Sequence, residues 1–327
     1  MSMEAKKHLL LLGAGFSRNW GGWLASEVFE YLLGIPEISD CPKLRSLLWS
    51  TKLKGRGFEG ALADMQAQYA CLQDAESKKL LDKLQSAVAK MFQDMNDGLE
   101  RRTFEFSNSS ASSVCEFLAR FDAIFTLNQD VLLETHYDFV QCPPPHRWSG
   151  RVFPGMVATH LGGQLPLSRK SWIPSGEHKV PRGSQPIFKL HGSTNWQAPD
   201  SSNMLIIGGN KSPTIQALPL LRWYSQQFAE YLRSPNARLM VIGYGFRDQH
   251  INEYLQAAKS SGLRLFIIDP EGSDVVERIK WASGAIGAPG HPTDLEEMIN
   301  GGSRRSLREI FGGDDVELAK VKRFFDS

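Results

Sequence analysis

The chain has 327 residues, enough for one large domain or two ordinary ones, with 42% hydrophobic and 22% charged residues and a formal net charge of +1. That balance is of a soluble globular protein and gives no global electrostatic reason to bind nucleic acid. The longest apolar stretch, HLLLLGAG, is too short to span a bilayer, and the N-terminal apolar run leads straight into glycine turn chemistry rather than a cleavage pattern.

In chain order, HLLLLGAG (8–15) is the first predicted strand, followed by a helical pattern over 21–33. FDAIFTLNQD (121–130), PIFKLHG (186–192), RLMVIGYG (238–245) and LRLFIIDP (263–270) are further apolar runs ending in turn or polar residues. Continuous rather than alternating apolar runs fit strands buried on both faces of a parallel sheet. Helical spacing fills the intervals at 60–100, 112–120, 214–233 and 248–260. The alternation predicts an α/β fold, a Rossmann-like doubly wound parallel sheet, with polar strand ends gathered on one edge. A helical insertion is expected over about 40–110, and a Pro- and Gly-rich loop over about 141–185. Residues 1–283 then form the main domain, and 284–327 a C-terminal helical tail. Its basic cluster SRRSLR (303–308) is read as a solvated face or a subunit contact.

Cys41, Cys71, Cys115 and Cys142 are scattered, without a C-x-x-C pair, which argues against a zinc site and a disulfide framework and for a cytoplasmic location.

Three strand ends carry candidate chemistry. Gly13 and Gly15 make either a plain tight turn or one that lets a pyrophosphate approach, and Ser17 and Arg18 suit an anion. The G-x-G-x-x-G fingerprint is incomplete, since Arg18 holds its last position. Thr126, Asn128 and Asp130 alternate and so share one side of an extended segment, as a site or as an Asx-type turn. His191 ends PIFKL, as a base or as a structural polar residue.

Taken together, G-A-G-x-S, T-x-N-x-D and K-L-H-G, in this order and each at a strand end, resemble the sirtuin family. VIGYGFRD resembles that family's adenosine loop, and FIIDP its strand-end ribose contact. The resemblance covers about 8–270 and implies a Rossmann-type domain that binds NAD+ and breaks its nicotinamide–ribose bond. It implies that Gly13, Ala14, Gly15 and Ser17 cradle the phosphates, and that Asn128 and Asp130 sit by the nicotinamide ribose. His191 would be the catalytic base, Gly243 and Gly245 would approach the adenosine half, and Asp269 would hold the adenine ribose.

The chain departs from protein-deacylating sirtuins in lacking their paired-cysteine zinc module. SRNWGGWLASE also stands where they carry G-I-P-D-F-R, and GIPEI (34–38) lies too far downstream to replace it. In these respects it resembles the bacterial sirtuin-like NAD hydrolases of anti-phage defence. The expected activity is therefore NAD+ glycohydrolysis with no metal, so chelation should change neither stability nor activity. A zinc-free deacylase and a catalytically silent nucleotide-binding subunit remain the alternatives. Self-assembly into a homo-oligomer or a HerA-type ATPase partner is the expected route to activation.

Overall fold

A computed structural model describes residues 6–137, 147–159, 170–200, 202–208, 211–277 and 295–326. Strand β1 (His8–Leu12) runs into the short helix α1 (Ala14–Arg18). Five helices follow: α2 (Ala25–Gly34), α3 (Pro36–Ser39), α4 (Pro42–Leu53), α5 (Gly57–Leu72) and α6 (Ala75–Glu100). Helix α7 (Val114–Ala119) leads to β2 (Ala123–Thr126) and α8 (Leu132–His136). Then come β3 (Gly150–Val152), β4 (Met156–Ala158), β5 (Trp172–Pro174), β6 (Ser184–Lys189), β7 (Gly192–Gln197) and β8 (Asn203–Leu205). Helices α9 (Lys211–Ala217) and α10 (Pro219–Leu232) precede β9 (Arg238–Ile242), α11 (Gln249–Ala257) and β10 (Arg264–Ile268). The chain closes with β11 (Ile299–Ser303), α12 (Leu307–Gly312) and α13 (Asp315–Lys322).

The main sheet has seven parallel strands in the order β11-β10-β9-β1-β2-β6-β3. With the edge strand β3 set aside and the other six counted along the chain, this is the doubly wound Rossmann order 3-2-1-4-5-6. The strand order reverses between β1 and β9, and ligands of such sheets bind at that switch point, beyond the carboxyl ends of the strands. Leu12 pairs with Thr126 on one side and Ile242 on the other, so Gly13, Leu127 and Gly243 leave the sheet at one level. The predicted α/β class thus stands, with all four leucines of β1 fully buried.

The insertion is helical, but 60–100 is not continuous. Gln73, at φ +51, ends α5 in the left-handed region, and Asp74 caps α6 by accepting from the Ser77 N–H. Leu81, Leu84, Val88, Met91, Met95 and Leu99 line the buried stripe of α6 at spacings of three and four. Near its end Asn96 donates to Thr194 and accepts from the Val131 N–H, which ties the insertion to the strand ends.

The segment over 141–185, expected as a functional loop or as partly disordered, holds three short strands among its described residues. β3 edges the main sheet, while β4 and β5 join β7 and β8 in a second sheet of order β4-β5-β7-β8. Beyond residue 283 the chain adds β11 to the main sheet and buries Phe311, Val321 and Phe324, so it is not helical throughout. Its basic side chains are exposed, as expected of a solvated face, and two of them have partners in this chain: Arg304 pairs with Asp274, and Arg308 donates to the Asn19 carbonyl. Cys41 and Cys71 are free, whereas Cys115 is disulfide-bonded; wide spacing along a chain does not prevent cysteines from meeting in space. Among the described residues no helix is long and apolar enough to cross a membrane.

Candidate active site

At the switch point three glycines meet. The Gly13 N–H donates to the Ile242 carbonyl and the Gly15 N–H to the Gly243 carbonyl, both at 3.0 Å. A Cβ on Gly13 would lie 2.5 Å from the Gly243 oxygen, and one on Gly15 2.6 Å from the Gly243 Cα. Gly243 itself sits at φ +60, where a Cβ would come within 2.4 Å of Gly15. The glycine pattern thus has a reason of its own, the contact of the first turn with the exit of β9. Gly243→Ala is expected to lower stability by at least about 2 kcal/mol, from the left-handed conformation and the backbone clash together. A thermal transition unchanged from wild type would remove this contact from the account.

The polar residues after β2 converge on that turn. The Asn128 amide donates from Nδ2 to the Gly13 carbonyl (2.9 Å) and to the Ser17 Oγ (3.0 Å). Ser17 in turn donates to Asp130 Oδ2 at 2.8 Å, and Asp130 Oδ1 accepts from the Leu132 N–H. Thr126 Oγ1 accepts from the Asn128 N–H, so it shapes the backbone under Asn128. Ser17 and Asp130 are both buried.

The lysine of K-L-H-G has a separate task. Lys189 is 1% exposed, and its ammonium donates to Glu134 Oε1 (2.7 Å), the Asp130 carbonyl (2.6 Å) and Ser193 Oγ (2.6 Å). One buried cation therefore holds α8, the turn after β2 and the start of β7 together. Removing one partner of such a pair strands the other charge and costs about 3–5 kcal/mol.

His191, 1% exposed, lies between β6 and β7 with its Nε2 3.1 Å from the Nε2 of His250. The Leu127 backbone beside this ring favours its protonated form, a smaller effect than burial. His250 follows Asp248, and Asp248 Oδ1 accepts from the Lys211 ammonium at 2.7 Å, with Glu59 3.1 Å from the same nitrogen. Burial, and then the positive Lys211, push His191 down to about 3, against the raising effect of Asp248. Burial also raises the Glu59 carboxyl. It acts the same way on Asp248, where Lys211 and the imidazoles outweigh it and hold the carboxyl below its ordinary range.

A depressed histidine pKa links folding to acid. Between about 3 and the ordinary 6.5 the unfolded chain binds a proton at His191 that the folded chain refuses. Stability therefore falls as pH drops through that window. For His191 alone the loss from pH 6.5 to 5 is roughly 2 kcal/mol. His8 and His250, also lowered mainly by burial, add in the same direction. His191→Asn is expected to flatten this dependence in denaturant unfolding. Equal slopes for variant and wild type would show that His191 is not the group responsible.

Asp269 ends β10 nearly buried, with its Oδ1 accepting from the Glu271 N–H. It shares the carboxyl edge of the sheet with Gly13, Asn128, His191 and Gly243. Gly245 lies just past the β9 exit, after Tyr244, whose hydroxyl donates to the Asp248 carbonyl. Ala14 is exposed at the head of α1. Arg18 stands apart, exposed and paired with Glu27. Sequence reading missed His250, Asp248, Lys211 and Glu59. The first two follow directly in GFRDQH, a polar run after a strand end that held their signal. Lys211 and Glu59 come from α9 and α5, far away in the chain.

A family model for the SIR2-like domain matches residues 122–285. A search of curated proteins returned no significant match. Among solved structures the chain is similar to a Sir2 homologue in complex with NAD at 12% identity and a TM-score of 0.43, covering 98% of this chain and 91% of that one. A Sir2 homologue variant in complex with ADP ribose matches at 12% identity and a TM-score of 0.41, covering 98% and 92%. A structure described as the basis for the mechanism and regulation of Sir2 enzymes matches at 12% identity and 0.38, covering 99% and 95%. The matched SIR2-like segment spans half of the chain and holds β2, β6, β9 and β10 with Asn128, His191, Gly243 and Asp269, and the chain belongs to the SIR2-like domain family.

Proposed function

We propose that the chain is an NAD+ glycohydrolase releasing nicotinamide and ADP-ribose. The observation that carries this reading is the hydrogen-bonded convergence of Ser17, Asn128 and Asp130 beside the Gly13–Gly243 contact, at the carboxyl edge of the sheet that His191 shares at the end of β6. A buried hydroxyl, a buried carboxylate and a half-buried amide in one place fit a substrate rich in ribose hydroxyls and an amide. Gly13, Ala14, Gly15 and Ser17 would face the phosphates, and Gly243, Gly245 and Asp269 the adenosine half. NAD+ enters as substrate, and cleavage builds positive charge at the anomeric carbon. Asp130 would oppose that charge, and Asn128 would orient the reacting ribose or the attacking water. His191, neutral at physiological pH, would take the proton, a step of the kind that contributes about 10²–10⁴-fold. The His250 ring lies 3.1 Å from Nε2 of His191 and would have to turn aside for substrate to reach that nitrogen.

The family resemblance further supports an NAD-depleting role in bacterial anti-phage defence, within a cytoplasmic homo-oligomer or beside a HerA-type ATPase. Loss of cellular NAD+ on infection, and co-purification of that ATPase, are the tests of this extension. The activity itself is tested by incubating purified protein with NAD+, with and without an acetylated peptide. Nicotinamide and ADP-ribose released without peptide are expected. Acetylated ADP-ribose formed only with peptide would make the chain a deacylase, and no product at all a binding subunit.

A further inference from the structure

One grouping beside the strand-end cluster has a geometry that the NAD+ reading does not use. His191, Asp248 and His250 each offer one ligand atom, and these atoms lie within 4.8 Å of one another. We propose that these three residues form a binding site for a divalent cation of the zinc type, and that the bound cation switches the enzyme off.

Zinc–imidazole bonds are about 2.0–2.1 Å long. Two Nε2 atoms 3.1 Å apart can both reach one such ion, at an N–Zn–N angle of roughly 100°. Two ligand atoms of one ion lie at most about 4.2 Å apart, so the carboxylate has to move in by less than about 1 Å. Asp248 has the freedom for this, since it heads α11 without a side-chain capping bond. Its Oδ1 is held by Lys211, which leaves Oδ2 for the ion. Lys211 opposes a cation, but Glu59 pairs with it too, so the two carboxylates and one ammonium sum to a net negative charge. Nitrogen ligands select zinc, cobalt or nickel over magnesium and calcium. Three protein ligands leave a coordination position open.

A coordinated His191 has no lone pair at Nε2 and cannot accept a proton. The inhibitory half of the proposal rests on the NAD+ reading, whereas the binding half does not. The test uses the full chain, stripped with chelator, dialysed and titrated with Co²⁺ and then Zn²⁺. One Co²⁺ per chain is expected, with a visible absorption band that Zn²⁺ abolishes by displacement. His250→Ala should weaken binding at least tenfold, with Asp248→Asn in its place if that variant does not fold. Stripping should leave NAD+ cleavage undiminished, saturating Zn²⁺ should lower it at least tenfold, and chelator should restore it. No saturable Co²⁺ binding, or equal affinity in the folded variant, overturns the site. Binding without inhibition of an active enzyme overturns the switch. If stripped protein cleaves no NAD+ the functional reading fails, and the binding titration still decides the site.

Discussion

His191→Ala is expected to lower nicotinamide release by about 10²–10⁴-fold, the range that positioned proton transfer contributes. The protein should remain folded, because the hydrogen bond lost is the imidazole–imidazole contact with His250. Neutral hydrogen bonds of this kind contribute about 1 kcal/mol each. The deleted ring also leaves a cavity, so the melting transition should fall while remaining cooperative. The acid limb of kcat against pH provides a second readout. With His191 held near 3 by burial and by Lys211, its protonation should not limit the rate between pH 5 and 8. A folded variant retaining more than about a tenth of the wild-type rate removes His191 from the general-base role.

The strands were legible because burial on both faces leaves continuous apolar runs, and β1, β2, β6, β9 and β10 all carry one. Strand β11 was not, because Ile299–Ser303 reads INGGS. A Cβ on Gly301 would lie 2.8 Å from the Phe266 ring, so the neighbouring strand supplies the packing that this segment's own residues lack. The same logic divides the site. Thr126, Asn128 and Asp130 announce themselves by alternating polarity at a strand end. Glu59 is one of two acids on the largely apolar helix α5, with no local pattern to mark it, and only folding brings it to Lys211. Lys189 was visible within K-L-H-G, yet its meeting with Glu134, Asp130 and Ser193 depends on three other segments. Local pattern reveals what a strand end offers, whereas long-range packing decides which charges meet there.

Asn128→Ala is expected to abolish NAD+ cleavage while weakening NAD+ binding by no more than about tenfold. In the proposed model the affinity comes mainly from the phosphates at Gly13–Ser17 and from the adenosine half near Gly243 and Asp269. Asn128 addresses the reacting ribose, where an interaction strengthens as charge develops and so affects kcat more than ground-state binding. Losing one well-aimed polar group at a reacting centre costs about 10²–10³ in rate. The binding arm is not zero, because Nδ2 of Asn128 braces the Gly13 carbonyl and the Ser17 hydroxyl. Two neutral hydrogen bonds at about 1 kcal/mol each set the scale of that loosening. Part of it is recovered, since Ser17 keeps its bond to Asp130. Asn128→Asp makes a sharper comparison. It puts a carboxylate where an amide donor faced the Gly13 carbonyl, and close to the Asp130 carboxylate, so it should disturb the turn and weaken binding well beyond the alanine variant. Calorimetric titration with NAD+ beside a nicotinamide-release assay separates the cases. Loss of binding as complete as the loss of activity in Asn128→Ala would make the residue a brace for the glycine turn, and survival of activity would take the end of β2 out of the reacting centre.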